Sequence, residues 1–206
     1  MLDLPPPDPG IEMVIASRGI SKGLAQTEGP QVLVRPEAAF GPFHVGGYAK
    51  NVTSPSLDGE AGPVAGFRTS AGGFDLNGSA TLKLAVAPVE PTDGEALELT
   101  VSASRRFGAA TPRLSLTWSP DDLGSTGRST YAEASAAWKL GGAVTLNAAY
   151  ALRERDGGAD YRAFNAGIAY RLADPLTAEL RWYDTDRSGL GEPYRGRLVG
   201  SLRARF

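Results

Sequence analysis

The segment "RGRLVGSLRARF" at 195–206 alternates strictly. Leu198, Gly200, Leu202, Ala204 and Phe206 share one parity, and Arg195, Arg197, Val199, Ser201, Arg203 and Arg205 share the other. An extended chain of that pattern has one apolar face and one guanidinium face. Guanidinium groups recognise carboxylates and phosphates. The pattern recurs along the chain. The polar parity collects Arg18, Arg35, Lys50, Arg68, Lys83, Arg106, Arg113, Lys139, Arg153, Arg171, Arg181, Arg195, Arg197, Arg203 and Arg205, against the acids Glu12, Glu37, Asp75, Glu98, Glu133 and Glu179. By this assignment of faces the excess is about nine positive charges. The whole chain has a net charge of −2, because the compensating acids fall mostly in the connections: Glu28, Asp58, Glu60, Glu90, Asp93, Asp121, Asp122, Asp156, Asp160, Asp184, Asp186 and Glu192.

Rings of Arg and Lys around a passage lower the barrier for anions and raise it for cations. The candidate lumen-lining and selectivity residues are Arg18, Arg35, Glu37, Lys50, Arg68, Lys83, Arg113, Glu133, Arg153, Arg171, Glu179, Arg181, Arg195 and Arg197. A second reading stays open beside it. Long side chains such as Arg35, Glu37, Glu133, Glu179 and Arg181 can pair into a packed polar plug. Arg171, Arg203 and Arg205 can lie at headgroup level near one end.

Other chemistry finds little support. The chain has no cysteine, which removes disulfides, thiolate metal sites and a cysteine nucleophile. Its one histidine, His44, falls on the polar parity near a short turn, without a serine-nucleophile motif. No catalytic residue and no enzyme activity is expected. "PDD" at 120–122 and "DTD" at 184–186 offer oxygen ligands without the spacing of a calcium loop. They read as solvated charge, or as sites for divalent cations shared with lipopolysaccharide phosphates. "NVT" at 51–53 is a chance sequon, and "DLGSTG" and "SGLGEP" do not lead from a strand into a helix. No cofactor and no metal is implied. The near-neutral net charge gives no footprint for nucleic acid.

The elements that must position these charges are strands. Apolar residues recur every second position, and turn residues divide the chain into about twelve segments near 11–20, 30–40, 43–52, 63–71, 74–86, 95–107, 111–119, 129–140, 143–154, 161–172, 176–185 and 193–206. Short connections such as "FGPF", "SAGGF" and "LGGA" alternate with longer polar ones such as "SKGLAQTEG", "TSPSLDGEAG" and "SPDDLGSTGR". That rhythm predicts an all-β, up-and-down antiparallel transmembrane β-barrel of about 12 strands, with turns on one side and loops on the other. No run approaches the length of a membrane helix. Residues 1–10, "MLDLPPPDPG", read as a flexible Pro-rich lead-in without a signal-peptide pattern, so an exported protein would be a mature form with an added Met. Residues 11–206 read as the barrel.

Alternation alone does not say which face meets lipid. Three features put the apolar face outside. Phe40, Phe43, Phe74, Phe107, Trp138 and Tyr170 gather near short turns, while Trp118 and Trp182 lie near long loops, as in an aromatic girdle. The apolar positions between them are small, which suits lipid contact better than an interdigitated core. The segments match the span of a tilted membrane strand. Arg105 and Arg162 fall on the outward parity, both near strand ends, where such a residue costs about 0–1 kcal/mol.

Two motifs extend the reading. "IASRGIS" at 15–21 and "GGYAKNV" at 46–52 resemble segments of the TorF-like porin family of Gram-negative bacteria. Phe206 resembles the C-terminal aromatic that serves outer-membrane proteins as an assembly signal. The resemblance implies a bacterial outer-membrane barrel with a pore, and it brings no catalytic residues and no substrate. The expected function is passive diffusion of small polar, anionic solutes. The expected partners are membrane lipid, lipopolysaccharide, the outer-membrane assembly machinery and other envelope proteins. The alternatives are a closed, charge-paired barrel acting as a structural or partner subunit of an envelope complex, an outer-membrane enzyme, and a soluble lipid-binding barrel.

Overall fold

The computed structural model describes residues 5–54, 57–88, 94–124 and 126–206. It has fourteen strands among them. They are β1 (Asp8–Ala16), β2 (Ile20–Ser21), β3 (Leu24–Ala25), β4 (Gln31–Phe40), β5 (Phe43–Ser54), β6 (Leu57–Ala71), β7 (Phe74–Val86), β8 (Glu95–Ser104), β9 (Ala110–Asp122), β10 (Gly127–Gly141), β11 (Val144–Arg155), β12 (Tyr161–Ala173), β13 (Leu176–Thr185) and β14 (Arg197–Arg205). Twelve of them close an antiparallel barrel in chain order, sealed where β14 pairs with β1. The hairpin β2–β3 pairs only with itself. Closure pairs every wall strand with a neighbour on both sides and leaves no open sheet edge.

The faces are inverted relative to a water-soluble barrel. Leu114 and Leu198 are 65% and 57% exposed, and Ile15, Val101, Trp138, Leu140 and Leu172 share that outward face. The buried set is mostly polar: Ser119, Asp122, Arg153, Thr185 and Arg197 among others. An apolar exterior around a polar interior is stable only in a bilayer. No helix among the described residues is long and apolar enough to cross a membrane, and the crossing falls to the strands. The protein is an all-β transmembrane barrel.

The outward aromatics form two belts. Phe43, Phe67, Phe74, Phe107, Trp138 and Tyr170 lie toward the turn end, with Phe43 and Phe67 edge-to-face at 5.4 Å. Trp118, Tyr150, Phe164 and Trp182 lie toward the loop end. Phe40 ends β4, on the outward parity beside Phe43. Phe67, Phe164 and Tyr150 join the expected girdle because a tilted wall carries the interface deeper into a strand than its last two residues.

Four boundaries differ from the sequence reading, each for a local reason. β1 begins at Asp8 and ends at Ala16, so Asp8–Gly10 belong to the wall and Arg18 does not. β6 begins at Leu57, inside what reads as the loop "TSPSLDGEAG". Pro63 has no N–H to donate, and the β6–β7 ladder skips Gly62 and Pro63 before resuming in the same register. β9 runs to Asp122 with one extra residue between Ser119 and Asp122 relative to β10, a bulge that turns Asp122 inward. β14 begins at Arg197, because the preceding residues coil into one-turn 3-10 segments, Ser188–Leu190 and Glu192–Tyr194. Glu90 and Asp93 lie outside the described residues.

Gly62 marks a close approach of β6 to β7. A Cβ added there would fall 1.7 Å from the Leu82 carbonyl oxygen. Gly62→Ala is therefore expected to destabilise the barrel by about 1–3 kcal/mol, the range for overpacking a well-packed contact. Urea unfolding of the detergent-refolded protein checks this, with Gly78→Ala as the neutral control, since a Cβ at Gly78 meets nothing within 4 Å.

Candidate functional site: a charged lumen with an inward hairpin

Strand parity brings most of the expected charges onto the inner wall, and they sort into clusters. At the turn end Glu12 of β1 faces three arginines. Arg205 Nε donates to it at 2.6 Å, Arg35 Nη1 lies at 3.0 Å and Arg203 Nε at 3.7 Å. One carboxylate does not neutralise three guanidiniums, so this patch keeps a positive excess. Beside it Arg68 grips Glu37 with both terminal nitrogens, each at 2.6 Å. His44 is 4% exposed and lies over Gly66, where an added Cβ would come within 2.4 Å of its Cε1. The missing side chain at 66 is what lets the imidazole lie flat against the wall.

The loop end holds a denser cluster. Asp122 is 3% exposed and receives Arg153 Nη2 at 2.7 Å, Lys22 Nζ at 3.1 Å, Lys83 Nζ and the Ser129 hydroxyl. Glu98 takes Lys22 closely and Lys83 at 3.7 Å. Lys50 lies 3.4 Å from Glu60, which also accepts the Tyr48 hydroxyl at 2.6 Å. Buried ion pairs must repay desolvation through good geometry and further hydrogen bonds. Asp122 does this with donors on several sides. Lys22 does so incompletely: burial and the neighbouring Lys83 ammonium hold its pKa below the ordinary lysine value, although Glu98 and Asp122 pull it upward.

Lys22 reaches the lumen because β2–β3 folds inward. The Tyr161 hydroxyl donates to the Lys22 carbonyl at 2.7 Å, and Gly23, at φ +84°, leaves no room for a Cβ beside Ala163. Leu24 and, from the last loop, Tyr194 pack on Tyr131, Ala151, Tyr161 and Ala163. This apolar cluster fills the loop-end lumen along β10–β12. The opposite side stays open. A cavity of about 690 Å³ runs along β4–β8, lined by Arg35, Glu37, His44, Tyr48, Lys50, Glu60, Arg68, Lys83 and Glu98, with Ser21 of the hairpin at its loop-side wall and Arg205 at its turn-side mouth. A second, 490 Å³ space at the turn end shares Arg68 and adds Ser70, Asp75, Asn77, Ser102, Ser104 and Arg113.

The remaining expected residues fall as follows. Arg113 donates to Ser102 at 3.0 Å. Glu133 accepts the Tyr131 hydroxyl. Arg181 binds Glu179 and, at 2.6 Å, Asn165. Arg171 is largely exposed near the turn end, 3.7 Å from Asp174. Arg197 is buried and tied to Glu192 at 3.1 Å. Two expected wall residues are elsewhere. Arg18 sits in the first loop, where it bonds the Thr27 carbonyl and lies 2.9 Å from Glu192. Arg195 ends a 3-10 segment and is exposed, above the first residue of β14. Three central residues escaped the sequence reading of the site: Lys22, Glu60 and Asp122. The only available signal was the Pro-Asp-Asp triplet at 120–122, where a proline inside a strand end points to a bulge.

A closed barrel with a lipid-exposed apolar exterior and a charged, cavity-bearing lumen defines an outer-membrane channel. The chain belongs to the Gram-negative porin family, whose model matches residues 29–197. The match includes "GGYAKNV" and begins beyond "IASRGIS". Among solved structures it is similar to the KdgM porin, at 10% identity and a TM-score of 0.65, covering 96% of this chain and 99% of that one. It is also similar to the NanC porin, at 7% identity and a TM-score of 0.63, covering 95% and 97%. An outer-membrane channel from Pseudomonas putida F1 gives 10% identity and a TM-score of 0.53, covering 96% and 94%. These likenesses carry the fold. A search of the curated proteins finds no significant match.

Proposed function

We propose that the protein passes small, hydroxyl-rich anions by diffusion along the β4–β8 side of its lumen. The observation that carries this reading is the 690 Å³ cavity with Arg35, Arg68, Lys50 and Lys83 on its walls. Near its mouth Arg35, Arg203 and Arg205 share a single carboxylate. Cations in series along a narrow wall draw anions in, and glutamates between them keep each site weak enough to release its guest. The hydroxyls and amides at Ser102, Ser104 and Asn77 suit a polyol. A structural neighbour supports the chemistry: one KdgM structure is described as a complex with disordered oligogalacturonate, an acidic sugar chain. We read the protein as a channel and not an enzyme, of TorF-like type. Its partners in this reading are lipid, lipopolysaccharide, the assembly machinery that reads Phe206, and other envelope proteins.

Planar-bilayer recording in a potassium chloride gradient tests the function. The expected reversal potential has the sign of chloride preference, and Arg35→Gln with Arg203→Gln moves it toward zero. A cation preference in the parent protein overturns the anion reading. The filled β10–β12 side favours a second reading, a closed barrel serving as a structural or partner subunit. Complete absence of conductance from correctly folded protein would select it.

A further inference from the structure

A different part of the barrel carries a site that the lumen does not use. Arg105 follows β8 on the outward parity, at the turn end. Its guanidinium carbon lies 5.2 Å from the Phe74 ring centroid and 5.1 Å from that of Phe107. Both rings are exposed on the outer surface, at 41% and 57%. Gly73 completes the seat: an added Cβ would meet the Arg105 Cζ at 3.5 Å, so the planar group rests on the turn itself.

The seat is rigid. The Arg105 backbone N–H donates to the Pro112 carbonyl at 3.2 Å, and Phe107 and Ala110 exchange N–H and C=O bonds at 2.8 and 3.0 Å. Among the described residues the Arg105 side chain has no carboxylate within ion-pair distance and no hydrogen bond. Every lumen cluster shows the opposite habit, with each guanidinium matched to an oxygen. A guanidinium stacked against rings keeps its in-plane N–H donors free at its edge.

We infer that Arg105, held by Phe74 and Phe107, binds the phosphate of an anionic glycerophospholipid of the periplasmic leaflet. The aromatic belt fixes the depth, since Phe and its neighbours mark the interface at which headgroup phosphates lie. The edge of the guanidinium can meet two phosphate oxygens with two parallel hydrogen bonds. The rings exclude water from its face and continue into the acyl region, which suits a lipid better than a free anion. The barrel would thereby carry a fixed lipid at the turn between β8 and β9.

Native mass spectrometry of the detergent-purified protein with added phosphatidylglycerol tests this. The expected result is one retained lipid per barrel, with apparent affinity lowered about tenfold by Arg105→Gln, equivalent to about 1.4 kcal/mol. Arg105→Lys keeps the charge without the fork and should fall between the two. Arg162→Gln, an outward arginine at the loop end, should leave retention unchanged. Equal retention by the parent and Arg105→Gln, both folded by gel heat-modifiability, overturns the site. Displacement of the lipid by inorganic phosphate at matched concentration overturns the lipid assignment.

Discussion

Asp122→Asn is expected to cost about 3–5 kcal/mol of stability, the range for removing one partner of a buried ion pair. The carboxylate receives three cations, Lys22, Lys83 and Arg153, and is almost fully buried. An asparagine keeps the shape but not the charge. Glu98 then remains as the nearby carboxylate for Lys22 and Lys83. Arg153 suffers most, since its Nε and Nη1 are already buried without partners among the described residues. The variant should also conduct differently. Its lumen gains one unit of positive charge, so chloride preference should rise. A compensated variant, Asp122→Asn with Lys83→Met, should recover part of the stability and return the selectivity toward the parent. Urea unfolding and reversal potentials read the two effects separately. Full stability in Asp122→Asn would remove Asp122 from the centre of the cluster.

The barrel was legible because a strand wall repeats with period two, and period two survives in a single sequence. Parity alone puts Arg35, Lys50, Arg68, Lys83, Arg113, Arg153 and Arg181 on the polar face; in the structure the first four line the cavity, and Arg113, Arg153 and Arg181 bond Ser102, Asp122 and Glu179. The misses occur where the period breaks. The bulge in β9 shifts parity by one and converts Asp122 from a loop acid into the central carboxylate. Pro63 made β6 look interrupted, which hid Glu60. Arg18 and Arg195 continue an alternating pattern past the last ladder bond, where alternation no longer determines a side. Lys22 is the clearest limit. Its position depends on β2–β3 folding back to Tyr161 and Ala163, a contact across 139 residues of chain for the Tyr161 bond. No local pattern encodes a contact of that range.

Replacing residues 17–30 by Asn-Gly is expected to open the channel, because the hairpin that constricts it lies wholly within that loop. Ala16 and Gln31 are directly paired across β1 and β4, so a two-residue type I′ turn can close the wall without strain. The twelve-strand ladder closes without the loop, but it loses the Ser17–Gly200 bonds to β14 and the Gln26 carbonyl that accepts the Thr53 N–H of β5. Removing the loop withdraws Lys22, Gly23 and Leu24 from the loop-end lumen, and frees Glu98 and Asp122 from one of their cations. Two opposed changes follow. Conductance should rise roughly twofold or more as the passage widens, while anion preference falls because a lumen cation is lost. The replacement also removes the Leu24 packing on Tyr131 and Tyr161 and the acceptor of the Tyr161 hydroxyl, so a lower stability in urea should accompany the opening. Lys22→Met separates the two contributions. It keeps the hairpin and its Tyr161 tether, which uses the backbone carbonyl, so selectivity should fall with little change in conductance. Unchanged conductance in the loop replacement would place the constriction elsewhere, at the Arg35, Arg203 and Arg205 patch around Glu12.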